Sequence, residues 1–111
     1  MAARSNTRGL SSDGSESVRL KWTHAASLDL DRVEKYISRD NPRVAIDTVL
    51  EIIRHVGMLA EHSGLGRPGR VDGTRELTIA GLPYVVSYVH RGDTVTVLRV
   101  LHGAMKWPKR F

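Results

Sequence analysis

Three side chains of this sequence could form a nuclease-like site: Arg75, Arg99 and His102. Arginine guanidinium groups can stabilise a pentacovalent phosphate, and a histidine can act as general acid or general base. Arg75 is expected to face the same side of its strand as Leu77. The alternative is that both arginines are structural and pair with Glu76 or with an acidic residue of a helix.

Strand alternation argues against this grouping. On a regular strand Arg99 shares a face with Val97 and Leu101, whereas His102 shares the other face with Val100. Arg99 and His102 therefore face opposite sides of the sheet, unless a β-bulge intervenes.

The histidines invite a metal interpretation, and Ser87 is the candidate for a nucleophile. The five are His24, His55, His62, His90 and His102. No pair has a recognised zinc spacing, no acidic cluster completes a ligand set, and the chain has no cysteine. Ser87 lacks the Gly-x-Ser-x-Gly elbow, and the glycine-rich stretch lacks the lysine of a phosphate loop. We predict neither a metal site nor a cofactor.

A second group of residues is suited to binding a target. Residues 64–74 contain four glycines and one proline and are predicted to form a loop, and the C-terminal end is basic with interspersed aromatic residues. The candidate target-binding residues are Arg67, Arg70, Lys106, Trp107, Lys109 and Arg110. The alternative for Trp107 is that it folds back and closes one end of the core.

The net charge of +5 lies entirely in residues 64–111. This half carries eight basic and three acidic side chains, whereas the two signs balance in residues 1–17 and in residues 18–63. Such a field attracts an acidic partner, either nucleic acid or an acidic protein segment. The charge could equally be solvated surface charge, so it does not by itself indicate nucleic-acid binding.

Length and composition predict one globular domain. The chain has 111 residues, of which 41% are hydrophobic and 26% are charged. No apolar run approaches the roughly 20 residues of a membrane span, and residues 1–17 contain no signal-peptide core. The predicted divisions are a disordered tail at 1–17, a folded domain at 18–108 and a C-terminal end at 109–111. The absence of cysteine fits a reducing cytoplasm.

Residues 75–102 are predicted to form a three-stranded antiparallel meander. Its strands, 75–79, 82–90 and 94–102, are rich in β-branched and aromatic residues, and breaks of two and three residues separate them. A first strand at 18–22 alternates apolar and basic residues and is expected to pair with a later strand.

Two amphipathic helices lie between the first strand and the meander. Thr23 is the predicted N-cap of the first and Asn41 that of the second, with Gly64 as the stop. Asp29 is assigned to the helix dipole. The predicted core positions are Ala26, Leu30, Val33 and Ile37, then Ala45, Val49, Ile52, Val56 and Leu59. Ile46, Leu50 and Ile53 are expected to widen the buried face of the second helix. The helices should form an antiparallel hairpin on the sheet, giving an α+β fold of order β-α-α-β-β-β.

A series of motifs in order resembles the ParE/RelE superfamily of toxins, on the ParE side, over residues 20–108. The motifs are Trp22-Thr23 with Ala26, Asp29-Leu30 and Tyr36-Ile37; Asn41-Pro42 with Ala45; Gly66-Arg67-Pro68-Gly69-Arg70; Gly73-Thr74-Arg75-Glu76-Leu77; Pro83-Tyr84-Val85-Val86-Ser87-Tyr88; and Leu98-Arg99-Val100-Leu101-His102-Gly103-Ala104 with Trp107-Pro108. The family fold is a helical hairpin on an antiparallel sheet, in agreement with the elements predicted from the residues.

This resemblance implies a cytoplasmic toxin of a type II toxin–antitoxin module, of the kind linked to plasmid stabilization and growth arrest. An antitoxin encoded beside it would hold it inactive in a stable complex, through an acidic or amphipathic segment that wraps the helical hairpin and lies against the sheet. ParE-like members are described as poisoning DNA gyrase, and RelE-like members as cleaving mRNA on the ribosome.

One departure from the RelE-like pattern favours the branch without nuclease activity. RelE-like nucleases use a cluster of lysines and arginines with a C-terminal tyrosine or histidine. Here the loop has Arg67 and Arg70 but no lysine, and no tyrosine follows Tyr88. Only the trio Arg75, Arg99 and His102 could be carried over. We therefore predict a gyrase inhibitor that acts by protein binding; a ribosome-dependent endoribonuclease and a non-toxic, antitoxin-binding relic are the alternatives.

Overall fold

A computed structural model describes residues 18–111, so the tail predicted at 1–17 lies outside the described residues. The elements in chain order are β1 (Arg19–Trp22), α1 (His24–Ser38), α2 (Pro42–Gly57), β2 (Arg67–Pro68), β3 (Arg75–Thr78), β4 (Tyr84–Arg91) and β5 (Thr94–His102). Two short 3-10 turns, Met58–Ala60 and Ser63–Leu65, follow α2. The predicted α+β order is confirmed. Within the described residues, neither helix is long and apolar enough to cross a membrane.

The strands form one sheet in the order β1-β5-β4-β3-β2. The meander of β3, β4 and β5 is antiparallel, as predicted, and β1 joins β5 in parallel. The turn between β4 and β5 contains only Gly92 and Asp93, and Gly92 has a φ of 59°, which glycine adopts without strain. The two residues of β2 lie within the predicted loop and extend the sheet by pairing with β3.

A β-bulge in β5 changes which residues share a face. Ser87 pairs with Arg99 and the adjacent Tyr88 pairs with Val97, which leaves Leu98 as the extra residue. Val97 is fully buried in the core beneath the helices, and Arg99 therefore faces the opposite side of the sheet. The prediction that Arg99 shares a face with Val97 is wrong for this reason. Arg99 and His102 both lie after the bulge, so it does not change their relation to each other. They remain on opposite faces of the sheet.

The helix caps form as their sequences predict. The Thr23 hydroxyl accepts a hydrogen bond from the Ala26 amide at 3.0 Å, and the Asn41 side chain accepts one from the Val44 amide at 3.1 Å. The second helix ends at Gly57 rather than continuing toward Gly64, because the chain tightens there into a 3-10 turn.

The core lies between the helical hairpin and one face of the sheet. It includes Ala26, Val33, Ile52, Val56, Leu59, Leu77, Ile79, Val86, Tyr88, Val95, Val97 and Val100. The Tyr88 hydroxyl closes one end, donating to the Ser63 carbonyl at 2.7 Å and accepting from the Gly66 amide at 2.9 Å. The helices thus cover one side of the sheet, and the loop after them is attached to it.

One prediction for α2 is wrong. Ile46, Leu50 and Ile53 do not widen its buried face, because they remain 53%, 59% and 43% exposed. Successive helix residues are rotated by about 100°, which turns these side chains away from the core that Ile52 and Val56 enter. They form an apolar stripe on the outside of the hairpin.

Candidate functional site

Arg99 is held by a buried carboxylate of α1. Its Nε donates to Asp29 Oδ2 at 2.7 Å and its Nη2 to Asp29 Oδ1 at 2.9 Å, while the Val100 amide also donates to Oδ2 at 2.9 Å. Asp29 is only 3% exposed. The hydrogen bonds to Asp29 raise the pKa of Arg99 above its ordinary value. Arg99 is therefore a fixed cation paired with a helix acid, as the structural alternative predicted.

The role of Asp29 was missed by sequence reasoning, which assigned this residue to the helix dipole. A signal was available, because Asp29 lies between Ala26 and Val33 at spacings of three and four and so belongs to the buried face of α1. A carboxylate on a core face needs a partner, and the partner here is 70 residues away in sequence.

Arg75 is also used internally. Its Nη2 donates to the carbonyls of Gly64 and Gly66, the first at 3.4 Å, and this attaches the loop after α2 to β3. Arg75 pairs with Tyr88 and shares the helix-facing side of the sheet with Leu77, as predicted. The side chain of Arg75 therefore stabilises the loop beside the sheet.

His102 lies at the end of β5, on the helix side of the sheet. Its ring contacts Tyr84 edge-on, with the centroids 5.8 Å apart, and its Nδ1 accepts a hydrogen bond from the Ala104 amide at 3.1 Å. Because Nδ1 is the acceptor, the neutral ring carries its proton on Nε2. Of the predicted trio, Arg99 and His102 line one groove, whereas Arg75 lies outside it.

That groove runs between α1 and the end of β5 and has a volume of about 530 Å³; we call it the α1–β5 groove. Its apolar walls include Val33, Pro83, Leu101 and Met105. Its polar lining includes Asp29, Arg32, Tyr36, Tyr84, Arg99 and His102. Burial, with a smaller contribution from the nearby Tyr36, raises the pKa of Tyr84, which keeps its phenol protonated at neutral pH. The groove combines an apolar floor with several hydrogen-bond donors.

Arg70 joins the loop to the C-terminal segment on the other face of the sheet. Its Nε lies 3.1 Å from Glu76 Oε2, its Nη1 donates to the Gly103 carbonyl at 3.1 Å, and its Cζ lies 3.8 Å from the centroid of the Trp107 ring. The indole of Trp107 donates in turn to the His102 carbonyl at 3.0 Å. Arg70 and Trp107 were predicted as target-binding residues, and both have intramolecular partners here.

Glu76 is the buried anion beneath this arrangement. Its side chain is 2% exposed, and it accepts a hydrogen bond from the Arg70 amide at 2.7 Å. Burial alone would raise the pKa of Glu76, but the hydrogen bonds from Arg70 and the charges of Arg70 and Arg67 together lower it. Glu76 therefore stays ionised and fixes the position of Arg70.

The remaining predicted binding residues surround this contact as one exposed surface. Arg67 approaches Glu76 at 3.7 Å but is 63% exposed, and Lys106, Lys109 and Arg110 are exposed along the C-terminal segment. We call Arg67, Arg70, Lys106, Trp107, Lys109 and Arg110 the basic face. The Arg70 bridge brings its two parts together, although they are separated in sequence. Within residues 18–111, no group of three or more His, Asp or Glu side chains could hold a metal ion.

Comparison with known proteins identifies the family. Residues 20–107 match the family model described as the ParE toxin of the type II toxin–antitoxin system parDE. The chain belongs to the ParE toxin family. A relative from Sinorhizobium fredii, named "Putative toxin Y4kP", is 41% identical over 91 residues, which cover 82% of this chain and 94% of the relative.

Solved structures agree with this ParE assignment. A chain from the chromosomal ParDE toxin–antitoxin system of P. aeruginosa superposes with a TM-score of 0.70 and is 32% identical, covering 78% of this chain and 96% of the other. The RelBE2 toxin–antitoxin complex of Mycobacterium tuberculosis matches with a TM-score of 0.56 at 23% identity, covering 82% and 97%. The second match shows the shared fold alone.

Proposed function

We propose that this ParE-family toxin inhibits DNA gyrase by binding it through the basic face, and that the chain itself catalyses no reaction. The observation that carries the proposal is the internal use of both candidate catalytic arginines. Arg99 is paired with Asp29, and Arg75 is bonded to loop carbonyls. Both guanidinium groups already have intramolecular partners, whereas all five cations of the basic face are exposed.

We also propose that an antitoxin covers this chain in a stable complex. The family description and the ParDE system of P. aeruginosa support such a partner. The stripe of Ile46, Leu50 and Ile53 supports it independently, because adjacent exposed apolar side chains on a helix commonly mark a protein interface. An amphipathic segment of the antitoxin would remove this stripe from water.

The test is a side-by-side assay of the purified chain in gyrase supercoiling and in a translation extract. We expect loss of supercoiling or accumulation of cleaved DNA, with translation unaffected. Lys109→Glu combined with Arg110→Glu should abolish the effect, because it reverses the charge of the basic face. The matched control is Lys35→Glu with Arg39→Glu, which makes the same charge change on the exposed side of the hairpin and should retain inhibition.

A second candidate function, ribosome-dependent mRNA cleavage, is favoured by one observation. Arg99 and His102 line the same groove, and because Nδ1 of His102 accepts the Ala104 amide, Nε2 is the ring nitrogen left to contact a substrate. This candidate predicts mRNA cleavage in the translation extract that disappears in His102→Ala while the folded state is retained. Inhibition of gyrase that survives His102→Ala would reject it and support the binding mechanism.

A further inference from the structure

The basic face concentrates positive charge that the fold brings together from two distant segments. All of its cations are exposed, and they are Arg67, Arg70, Lys106, Lys109 and Arg110. Arg70 joins the two segments, because it donates to the Gly103 carbonyl at 3.1 Å and lies 3.8 Å from the centroid of the Trp107 ring. The positive field of these cations therefore acts at one surface.

Acidic side chains do little to balance this charge. Residues 64–111 contain three, and Glu76 is buried and already bonded to Arg70. Asp93 lies in the β4–β5 turn, about 25 Å along β5 from the C-terminal segment. Asp72 is exposed in the loop, two residues after Arg70. Asp72 is thus the one exposed acid of residues 64–111 that lies close to the basic face in sequence.

The composition of the basic face is typical of a site for a polyanion rather than of a protein interface. Protein–protein interfaces concentrate apolar and aromatic side chains at a centre from which charged residues are depleted, and lysine is depleted throughout. Here a cation, Arg70, lies at the junction of the two segments, and Lys106 and Lys109 are lysines. Interfaces with DNA are much more positively charged, because every phosphate carries a negative charge.

The aromatic rings at this surface already have intramolecular partners. Arg70 lies over the Trp107 ring, whose indole N–H donates to the His102 carbonyl at 3.0 Å. The Phe111 centroid lies 6.4 Å from that of Trp107 and 5.9 Å from Arg99 Cζ. Proteins that bind single-stranded nucleic acid stack its bases on aromatic side chains. The arrangement here favours contact with the phosphates of a duplex instead, and such contacts carry no sequence information.

We infer that the basic face binds the phosphate backbone of duplex DNA, the substrate that gyrase holds. The inference rests on the proposed inhibition of gyrase and names the partner of the same surface. The loop cations and the C-terminal cations contact phosphates, and the Arg70 bridge keeps the two groups together. Asp72, beside them in the loop, repels phosphates and limits the affinity.

The first experiment measures binding of the purified chain to a labelled duplex of about 30 base pairs, without gyrase, between about 50 and 200 mM salt. Each phosphate contact contributes about 0.9 to the slope of log K against log salt concentration. Lys109→Gln with Arg110→Gln should therefore lower the slope by about 2 and weaken binding about tenfold or more at the lower salt. The matched control, Lys35→Gln with Arg39→Gln, removes the same charge from exposed positions of α1 and its C-cap and should change the slope by less than about 0.5. Equal changes in both pairs would overturn the inference.

Asp72→Asn provides a test that loss of folding cannot imitate, because it should strengthen binding. Removing this negative charge should raise the affinity for the duplex about twofold to fivefold at low salt. Asp93→Asn, at the far end of β5, removes the same charge and should change the affinity less than about 1.5-fold. Two duplexes of unrelated sequence should bind within about threefold of each other. Equal affinities in Asp72→Asn and wild type would contradict a phosphate contact at this surface.

Binding to gyrase without DNA distinguishes a protein partner from a DNA partner. If the chain binds DNA-free gyrase and Lys109→Gln with Arg110→Gln abolishes that binding, the cations contact protein; the inference then fails and the proposed function stands. If the chain binds the duplex as expected but leaves supercoiling unaffected, the proposed function fails and the duplex contact stands. Loss of duplex binding and of gyrase inhibition in the same variant, with both retained in the control, would support the two together.

Discussion

Two buried carboxylates, Asp29 and Glu76, each hold one arginine, but the two ion pairs have different roles. Asp29 and Arg99 connect α1 to β5, with Asp29 3% and Arg99 24% exposed, at the end of the core. Glu76 and Arg70 connect β3 to the loop that precedes it, and Arg70 remains 38% exposed beneath Trp107. The first pair closes the fold, and the second supports a surface.

This difference teaches how a small ParE-family chain uses its cations. Arg99, whose Nε and Nη2 bond to a buried carboxylate, mainly contributes stability and has fewer donors left for a substrate. Arg70, which bridges two exposed segments, holds the neighbouring cations together while remaining partly exposed itself. Both arginines therefore act mainly through their neighbours, and under the proposed function the other exposed cations around Arg70 contact the target.

The largest expected effect is a loss of stability when the ion pair between Asp29 and Arg99 is removed. Asp29→Ala leaves Arg99 and the Val100 amide without their acceptor, and breaking a buried pair costs about 3–5 kcal/mol. We expect a fall of about 3 kcal/mol in the free energy of unfolding in urea, near the lower end, because water can still reach part of Arg99. Asp31→Ala, exposed on the same helix, should change it by less than about 0.5 kcal/mol. A similar loss for both variants would show that Asp29 contributes no more to stability than an exposed aspartate of α1.

Loss of the Glu76–Arg70 pair should lower stability less, but it should change the exposed C-terminal segment more. Arg70→Ala removes the contacts to Glu76, Gly103 and Trp107, and should lower the free energy of unfolding by about 1–2 kcal/mol, limited by solvent screening. It should also expose the C-terminal segment to limited proteolysis and weaken gyrase inhibition. Arg70→Lys keeps the charge but not the bridge, so it should resemble Arg70→Ala in proteolysis. Protection equal to wild type in Arg70→Lys would mean that charge alone holds the segment.

Local rules predicted much of this fold. The Thr23 and Asn41 caps, the alternation of β1 and the short turns of the meander each depend on a few adjacent residues. The bulge at Leu98 was not predictable in this way, because it depends on where β1 stops and on Thr23, whose hydroxyl donates to the Leu98 carbonyl at 2.9 Å. Both sides of α2 carry apolar residues at helical spacing, so the spacing alone could not show that Ile52 and Val56 would be buried and Leu50 and Ile53 exposed.

The candidate site was less predictable than the fold because its contacts join distant segments. The composition of the loop and of the C-terminal end indicated a basic surface, and these residues do lie together. Sequence spacing could not show that Arg70 would bond Glu76, Gly103 and Trp107 at once, since these partners come from separate segments. The ion pair of Asp29 with Arg99 was not predicted for the same reason, because the two residues are far apart in sequence.

The smallest effect is the pH dependence that Glu76 adds to stability. Because folding lowers the pKa of Glu76 below its ordinary value of 4.5, its charged form stabilises the native state. This contribution is complete above pH 4.5 and is lost as the pH falls through the lower pKa of the folded protein. The measurement is urea unfolding of wild type and Glu76→Gln between pH 3 and pH 6, in which the other carboxylates titrate in both proteins and cancel. The stability difference should narrow toward acid pH, because protonated Glu76 resembles glutamine in charge. A difference that is constant with pH would mean that Glu76 contributes through packing rather than through its bonds to Arg70, and that the two ion pairs differ less than their geometry indicates.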